Sequence, residues 1–296
     1  MTRQELLDRR ALARQLSLAG RASVADVLSE ADSNFKTEKP AVRIGVTGPP
    51  GAGKSTLIAR LAASRLQHGE RVGVLAIDPT SPLSQGSILG DRIRMDEIAD
   101  DPNLYIRSMP SRHAHDGMAD NITGMLAVLE SHNFDNIFLE TVGIGQADYS
   151  VRTLVDTVIL VVVPESGDTV QAMKAGVMEM ADVYAVNKAD RPGAKRTVTD
   201  IQSVLALKEN NPGGWRPRVL QTSSEDGDVL LLDQAITDHL NWRRDNVDLL
   251  AHRRDQARYN VEMLLNRRVG ELLADAEPAQ LDRPISDIYA DLVGRL

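Results

Sequence analysis

The stretch GVTGPPGAGKST, residues 45–56, constrains this chain more than any other. Within it Gly48, Gly53, Lys54 and Ser55 satisfy the pattern G-x-x-x-x-G-K-[ST]. The apolar run RIGVT (43–47) leads into it, and STLIARLAASRL (55–66), with helical spacing, follows. A strand, a glycine turn and a helix in that order form a phosphate grip. Glycines let consecutive backbone N–H groups converge on an anion, at a helix N-terminus whose partial positive charge favours it. The segment Gly48, Pro49, Pro50, Gly51, Ala52, Gly53, Lys54, Ser55 and Thr56 is therefore the expected phosphate-binding loop. Lys54 would reach the β- and γ-phosphates, and Ser55 would ligate Mg2+.

The surrounding pattern predicts the rest of the fold. Short apolar runs at 43–47, 72–77, 104–108, 136–141, 157–163, 183–187 and 218–222 alternate with helical stretches. These runs are continuously apolar, as in parallel strands covered by helices on both faces. The expected fold is a doubly wound, mostly parallel α/β sheet with helical extensions at both ends. Residues 5–33 carry helical spacing, with Leu6, Leu7, Ala11, Leu16 and Leu18 early, Val24, Val27 and Leu28 later, and a break at Gly20. SNFKTEKP (33–40) reads as a linker. The expected divisions are an N-terminal helical extension (1–40), a nucleotide-binding domain (41–230) and a C-terminal helical arm (231–296).

A phosphate loop serves kinases, ATPases and GTPases alike, so the base-reading element matters. Asn187-Lys188-Ala189-Asp190 follows the run VYAVN and matches N-K-x-D. The Asp190 carboxylate can accept from guanine N1 and the N2 amino group, whereas adenine would leave it unpaired. QTSSEDGD (221–228) matches a loop that closes over guanine, with Ser223 and Ser224 in place of the usual Ser-Ala pair.

Three acids are candidates at the metal, Asp78 and Glu140 of them at strand ends. Asp78 in AIDPTS and Asp91 in GSILGDRIRM could reach Mg2+ directly or through water, or could begin a turn and cap a helix respectively. Glu140 opens E-T-V-G, where many GTPases have D-x-x-G. Its carboxylate would hold a metal-bound water while Gly143 lets an N–H approach the γ-phosphate. With Lys54 and Glu140, Gln146 is the third candidate catalytic residue, as a water-positioner. It lies three residues after Gly143, however, whereas Ras-like proteins place their glutamine directly after the glycine. No obvious arginine finger is present in cis; Arg92, Arg94 and Arg107 are candidates once the switch segments rearrange.

Composition narrows the alternatives. With 42% hydrophobic and 26% charged residues and no apolar run of membrane-spanning length, a soluble globular protein without membrane attachment is expected. The start MTRQELLDRRALARQL mixes acids with bases and lacks an apolar core, so no signal peptide is expected. The absence of cysteine suits a cytoplasmic protein. A net charge of −8 and only 3% aromatics argue against nucleic-acid binding. His113 and His115 alternate without further ligands, so no dedicated metal site is expected there.

Taken together, DRRALARQLSLA (8–19), GPPGAGKSTL, AIDPTSP, GSILGDRIRM, ETVGIGQAD, PESGDTVQAMKAG (164–176) and NKAD resemble the MeaB/ArgK family of GTPases. The family serves adenosylcobalamin-dependent acyl-CoA mutases such as methylmalonyl-CoA mutase. The resemblance spans nearly the whole chain. It implies slow intrinsic GTP hydrolysis that the mutase stimulates, gating of cofactor loading, and protection or reactivation of the mutase. It also implies a homodimer formed through the C-terminal arm, with GTP or GDP and Mg2+ bound but no cobalamin held directly. Within SGDTVQAMK, Asp168, Gln171 and Lys174 match a loop that communicates with the mutase; by residue type alone they would be an ordinary solvated helix start. RSMPSRHAHDGMAD (107–120) departs from the family's glycine-rich RSMATRGHLGGLA, which points to a different mutase of the same class as partner. Three rivals remain at this stage: a metal-insertion GTPase, a small-molecule kinase and a nucleotide-binding scaffold.

Overall fold

The computed structural model describes residues 2–31, 40–79, 98–111, 121–141, 146–164, 180–207, 214–223 and 229–296. Seven strands form one sheet: β1 Val42–Thr47, β2 Val72–Pro79, β3 Leu104–Ser111, β4 Asn136–Glu140, β5 Thr157–Val162, β6 Val183–Val186 and β7 Arg218–Gln221. Their spatial order is β3-β2-β4-β1-β5-β6-β7, and every pairing is parallel. The chain builds outward from β1 on one side and then crosses to β5 on the other. This places a topological switch point at the C-terminal end of β1, where such sheets bind ligands. All seven expected strands are present.

The helices among the described residues are α1 Arg3–Ala19, α2 Val24–Ala31, α3 Lys54–Gln67, α4 Ile122–Ser131, α5 Gln146–Leu154, α6 Ala194–Ala206, α7 Leu230–Asn246, α8 Leu249–Ala274, α9 Pro278–Leu281 and α10 Ile285–Val293. Strand side chains alternate between two cores. On one face Ile44, Val46, Phe138, Ile159 and Val161 meet Leu57, Leu61, Leu232 and Ile236 of α3 and α7. On the other, Ile137, Leu139, Leu160 and Val162 meet α1, α4, α5, α6 and Tyr259 of α8. Continuous apolar runs are the signature of strands buried on both faces, and β4, β5 and β6 are buried at every position.

Two details differ from expectation. The edge strand β3 runs three residues past Ser108, paired with β2 through Pro79 and Ser111. Prolines at 79 and 110 are tolerated because β4 stops at Glu140, opposite Ala76, so the end of β2 has β3 as its neighbour and β3 is itself an edge. The N-terminal helix also buries only part of the expected spacing. Leu12 and Leu16 pack inward, whereas Leu6, Leu7 and Leu18 are exposed. The face was decided by α1's neighbours: it packs chiefly on α4 and is bonded to β3, with Arg9 Nη1 donating to Leu104 O (3.0 Å) and Arg107 Nη1 donating to Ser17 Oγ (3.1 Å). The linker expected at 33–40 lies outside the described residues except for Pro40.

Opposite the C-terminal edge of the strands, α7 is pinned beneath the sheet by a buried node. His239 Nδ1 lies 2.9 Å from Thr157 Oγ1, and Nε2 lies 3.3 Å from Asp182 Oδ1. The neutral tautomer that satisfies both carries its proton on Nε2, donating to Asp182, while Nδ1 accepts from Thr157. Burial pushes the His239 imidazole below its ordinary pKa, with the Asp182 carboxylate opposing the shift, so this contact is a hydrogen bond rather than an ion pair. The folded state then binds fewer protons than the unfolded chain, whose histidines titrate near about 6.5. Stability is complete above that pH and falls as the pH drops toward the lowered folded value. His132 and His252 are shifted in the same direction, chiefly by burial. His239→Gln should therefore reduce the loss of melting temperature between pH 7.5 and 5 without abolishing it; identical slopes for variant and wild type would refute the assignment.

Candidate functional site

The site forms along the C-terminal edge of the sheet, where the loops after β1, β4, β6 and β7 meet. The loop after β1 depends on backbone that side chains resist. Gly48, Gly51 and Gly53 have φ of 143°, 73° and 91°. At Gly48 a Cβ would stand 2.1 Å from the Val161 carbonyl oxygen, so this turn can approach β5 only as glycine. Gly53 is the N-cap of α3 and offers no side chain to the helix amides. A long helix thus opens toward the loop without a side-chain cap, as anion binding requires.

Lys54 and Ser55 are both buried in the first turn of α3. Lys54 Nζ donates to Gly48 O (2.9 Å) and Pro49 O (3.2 Å), which holds the ammonium over the loop. Ser55 Oγ donates to Glu140 Oε1 at 2.8 Å. Glu140 is 5% exposed and sits in register with Val46 of β1 and Ala76 of β2. The strand order brings this acid to the loop although 85 residues separate it from Ser55.

The N-K-x-D segment grips the same loop from the other side. Asn187, fully buried, donates from Nδ2 to Ala52 O at 2.7 Å. Lys188 Nζ donates to Gly51 O at 2.8 Å, and its backbone adopts φ 56°, a left-handed conformation that costs a non-glycine residue strain. Asp190 lies exposed in the turn that follows. Asn187 is itself fixed by Thr222, whose hydroxyl donates to Asn187 Oδ1 (3.2 Å) and whose carbonyl accepts from Ala189 N (3.1 Å). Thr222 falls within the run 218–222 and the segment QTSSEDGD, but its bond to Asn187 gives no signal in the sequence. Next to it the Ser223 hydroxyl is buried without a hydrogen-bond partner among the described residues.

The structure thus brings Gly48 to Thr56, Glu140, Asn187, Lys188, Asp190 and Ser223 to one edge of the sheet. Asp78 stands in β2, paired with Pro110, and Gln146 is the first residue of α5; the side chains of both lie outside the described residues. Asp91, Gly143, Ser224, Asp168, Gln171 and Lys174, with His113, His115, Arg92 and Arg94, also lie outside them. Arg107 is engaged elsewhere. It sits inside β3 opposite Leu75 and donates to Ala13 O and Ser17 Oγ of α1. Among the described residues no cluster of three or more His, Cys, Asp or Glu could hold a metal. Nor is any described helix long and apolar enough to cross a membrane.

Comparison with known proteins agrees with this geometry. Residues 17–278 match the family model described as methylmalonyl-CoA mutase-associated GTPase MeaB. A Pyrococcus abyssi protein provisionally named a GTPase is 39% identical over 245 residues, covering 81% of this chain and 74% of its own. The mouse mitochondrial methylmalonic aciduria type A homolog is 38% identical over 189 residues, covering 63% of this chain and 46% of its own. The crystal structure of an LAO/AO transport system kinase superposes with a TM-score of 0.67 at 24% identity. That match covers 90% of this chain and 80% of the kinase, a likeness of fold.

Proposed function

The chain belongs to the family of methylmalonyl-CoA mutase-associated GTPases, and from that premise we propose that it hydrolyses GTP as the chaperone of an adenosylcobalamin-dependent acyl-CoA mutase. The observation that carries this reading is the bonding of Asn187 and Lys188 onto the Ala52 and Gly51 carbonyls. It joins a guanine-type recognition segment and a phosphate loop into one site, which favours a GTPase over an adenine-dependent kinase.

Phosphoryl transfer asks the protein for positioning and charge neutralisation more than for covalent chemistry. Lys54 supplies buried positive charge beside the phosphates. Ser55 Oγ and Glu140 Oε1, buried and 2.8 Å apart, are hard oxygen donors of the kind that suits Mg2+ held by few protein ligands. Bound there, the ion would neutralise charge on the β- and γ-phosphates. Asp78 and Asp91 complete the acidic surroundings in this reading, Gly143 contacts the γ-phosphate and Gln146 orients water. Asp190, Ser223 and Ser224 read the base. Asp168, Gln171 and Lys174 relay the nucleotide state to the mutase. With Arg107 held by α1, hydrolysis is slow until the partner orders the switch segments.

The proposal includes a homodimer built on the C-terminal arm, residues 231–296. Leu249, Leu250, Val261 and Leu265 of α8 are exposed, as are Ile285 and Tyr289 of α10, and neither α9 nor α10 has a buried residue. One experiment addresses both partners: co-purification from the native host, mass determination of the free chain, and GTP turnover with and without each B12-dependent mutase. The expected result is a dimer mass and at least about tenfold stimulation by one mutase. Equal turnover with and without every mutase would show that partner-gated hydrolysis is wrong.

A further inference from the structure

The break between the two N-terminal helices carries a polarity that the long C-terminal helix matches. α1 ends at Ala19 and α2 begins at Val24, so a helix C-terminus and a helix N-terminus flank one short turn. Arg267 of α8 serves the first. Its Nη2 donates to Ala22 O and its Nη1 to Asn121 Oδ1, while Asn121 Nδ2 donates to Ala19 O and Ala22 O, both at 2.9 Å. Glu271, one helical turn further on, serves the second. The Ser23–Asp26 capping pair takes the amides of residues 23 and 26, and Glu271 Oε1 accepts from Val24 N at 3.2 Å. A cation thus stands by carbonyls after α1 and an anion by the first amide of α2, as helix dipoles favour. Arg267 and Glu271, four residues apart, also pair with each other at 3.5 Å.

Apolar packing leaves this end of α8 underdetermined. Of its 26 residues only Tyr259 and Leu272 are buried, and neither α9 nor α10 buries any. Tyr259 belongs to the core shared with α5, whereas Leu272 and Val24 lie in neither core of the sheet. Hydrophobic burial is non-directional, but a planar guanidinium held at two acceptors fixes an angle. We propose that Arg267 and Glu271 are positioning residues. They form a clasp, matched to the polarity of the α1–α2 break, that sets the direction in which the C-terminal arm leaves the nucleotide-binding domain. The clasp lies within one chain and does not depend on the arm forming a dimer. An ion pair that mattered only for itself would survive an exchange of its two charges; a clasp matched to two helix ends would not.

The chain has no cysteine, so a dye pair can be placed uniquely at Lys195→Cys on α6 and Ser286→Cys on α10, both exposed. Single-molecule energy transfer in this full-length chain, diluted into unlabelled chain of the same sequence, reads the arm's direction in either oligomeric state. The parent should give one narrow population. Arg267→Gln should broaden or shift it, and so should the exchange Arg267→Glu with Glu271→Arg, while circular dichroism shows the fold retained. Arg267→Lys, which keeps the cation but not the fork, should fall between. The clasp is overturned if Arg267→Gln or the charge exchange keeps the parent population, or if the parent itself is broad. Loss of the fold in both would make the pair a general stability element and overturn the clasp equally.

Discussion

Lys54→Ala is expected to lower GTP turnover by about 100- to 1000-fold, the usual cost of removing one preorganised charge from a transition state. The ammonium is held where it acts most strongly. Lys54 is 5% exposed and already bonded to the Gly48 and Pro49 carbonyls, so little reorganisation is needed when phosphate charge develops. Lys54→Arg should not restore activity, because a planar guanidinium cannot replace a point charge in so tight a loop. Single-turnover hydrolysis and binding of a fluorescent GTP analogue separate the chemical loss from the binding loss. Turnover of the alanine variant within tenfold of wild type would remove the phosphate loop from the mechanism. An alanine variant that binds no GTP yet fully supports mutase activity would make the chain a scaffold.

Asp190→Ala should cost about 100-fold or more in GTP affinity, with a far smaller effect on ATP. Two charge-assisted hydrogen bonds to guanine are lost, each worth about 1.5–3 kcal/mol. The fold should be spared, since Asp190 is exposed. Asp190→Asn carries a sharper signature. Its amide would donate to the C2 carbonyl of xanthine and accept from N1–H, so the preference should move from GTP to XTP. Competition binding with the three triphosphates reads both variants; an unchanged GTP-to-ATP ratio for Asp190→Ala would place base recognition elsewhere.

The fold was legible because its signals are local. Each strand was visible as an apolar run bounded by turns, and the loop after β1 as four residues at fixed spacing. Less was legible where a neighbour distant in sequence decided the outcome. The helical spacing of Leu6, Leu7, Leu16 and Leu18 does not show which of them is buried; packing of α1 against α4 and β3 selects Leu16, with Leu12. Nothing in the sequence around Arg107 shows that α1 engages its guanidinium. The candidate site was partly legible for the same reason. Asn187 and Lys188 were recognisable as a motif, but their hydrogen bonds to Ala52 and Gly51 span more than 130 residues of chain.

By itself, the sequence determined the chemistry on offer: a glycine loop able to surround phosphate, a carboxylate able to read guanine, and acids at or near strand ends. Those properties reside in side-chain type and short spacing, where backbone geometry is nearly forced. Only the tertiary structure decided what meets what. Parallel pairing of β4 beside β1 carries Glu140 to Ser55, and β6 next to β5 sets Asn187 against Ala52. The same long-range packing buries Asp182 among β5, α7 and Trp215 and leaves Arg152 half in water beside it. Such contacts depend on strand order and helix placement, which are set by burial of the whole sheet and leave no mark within any one segment.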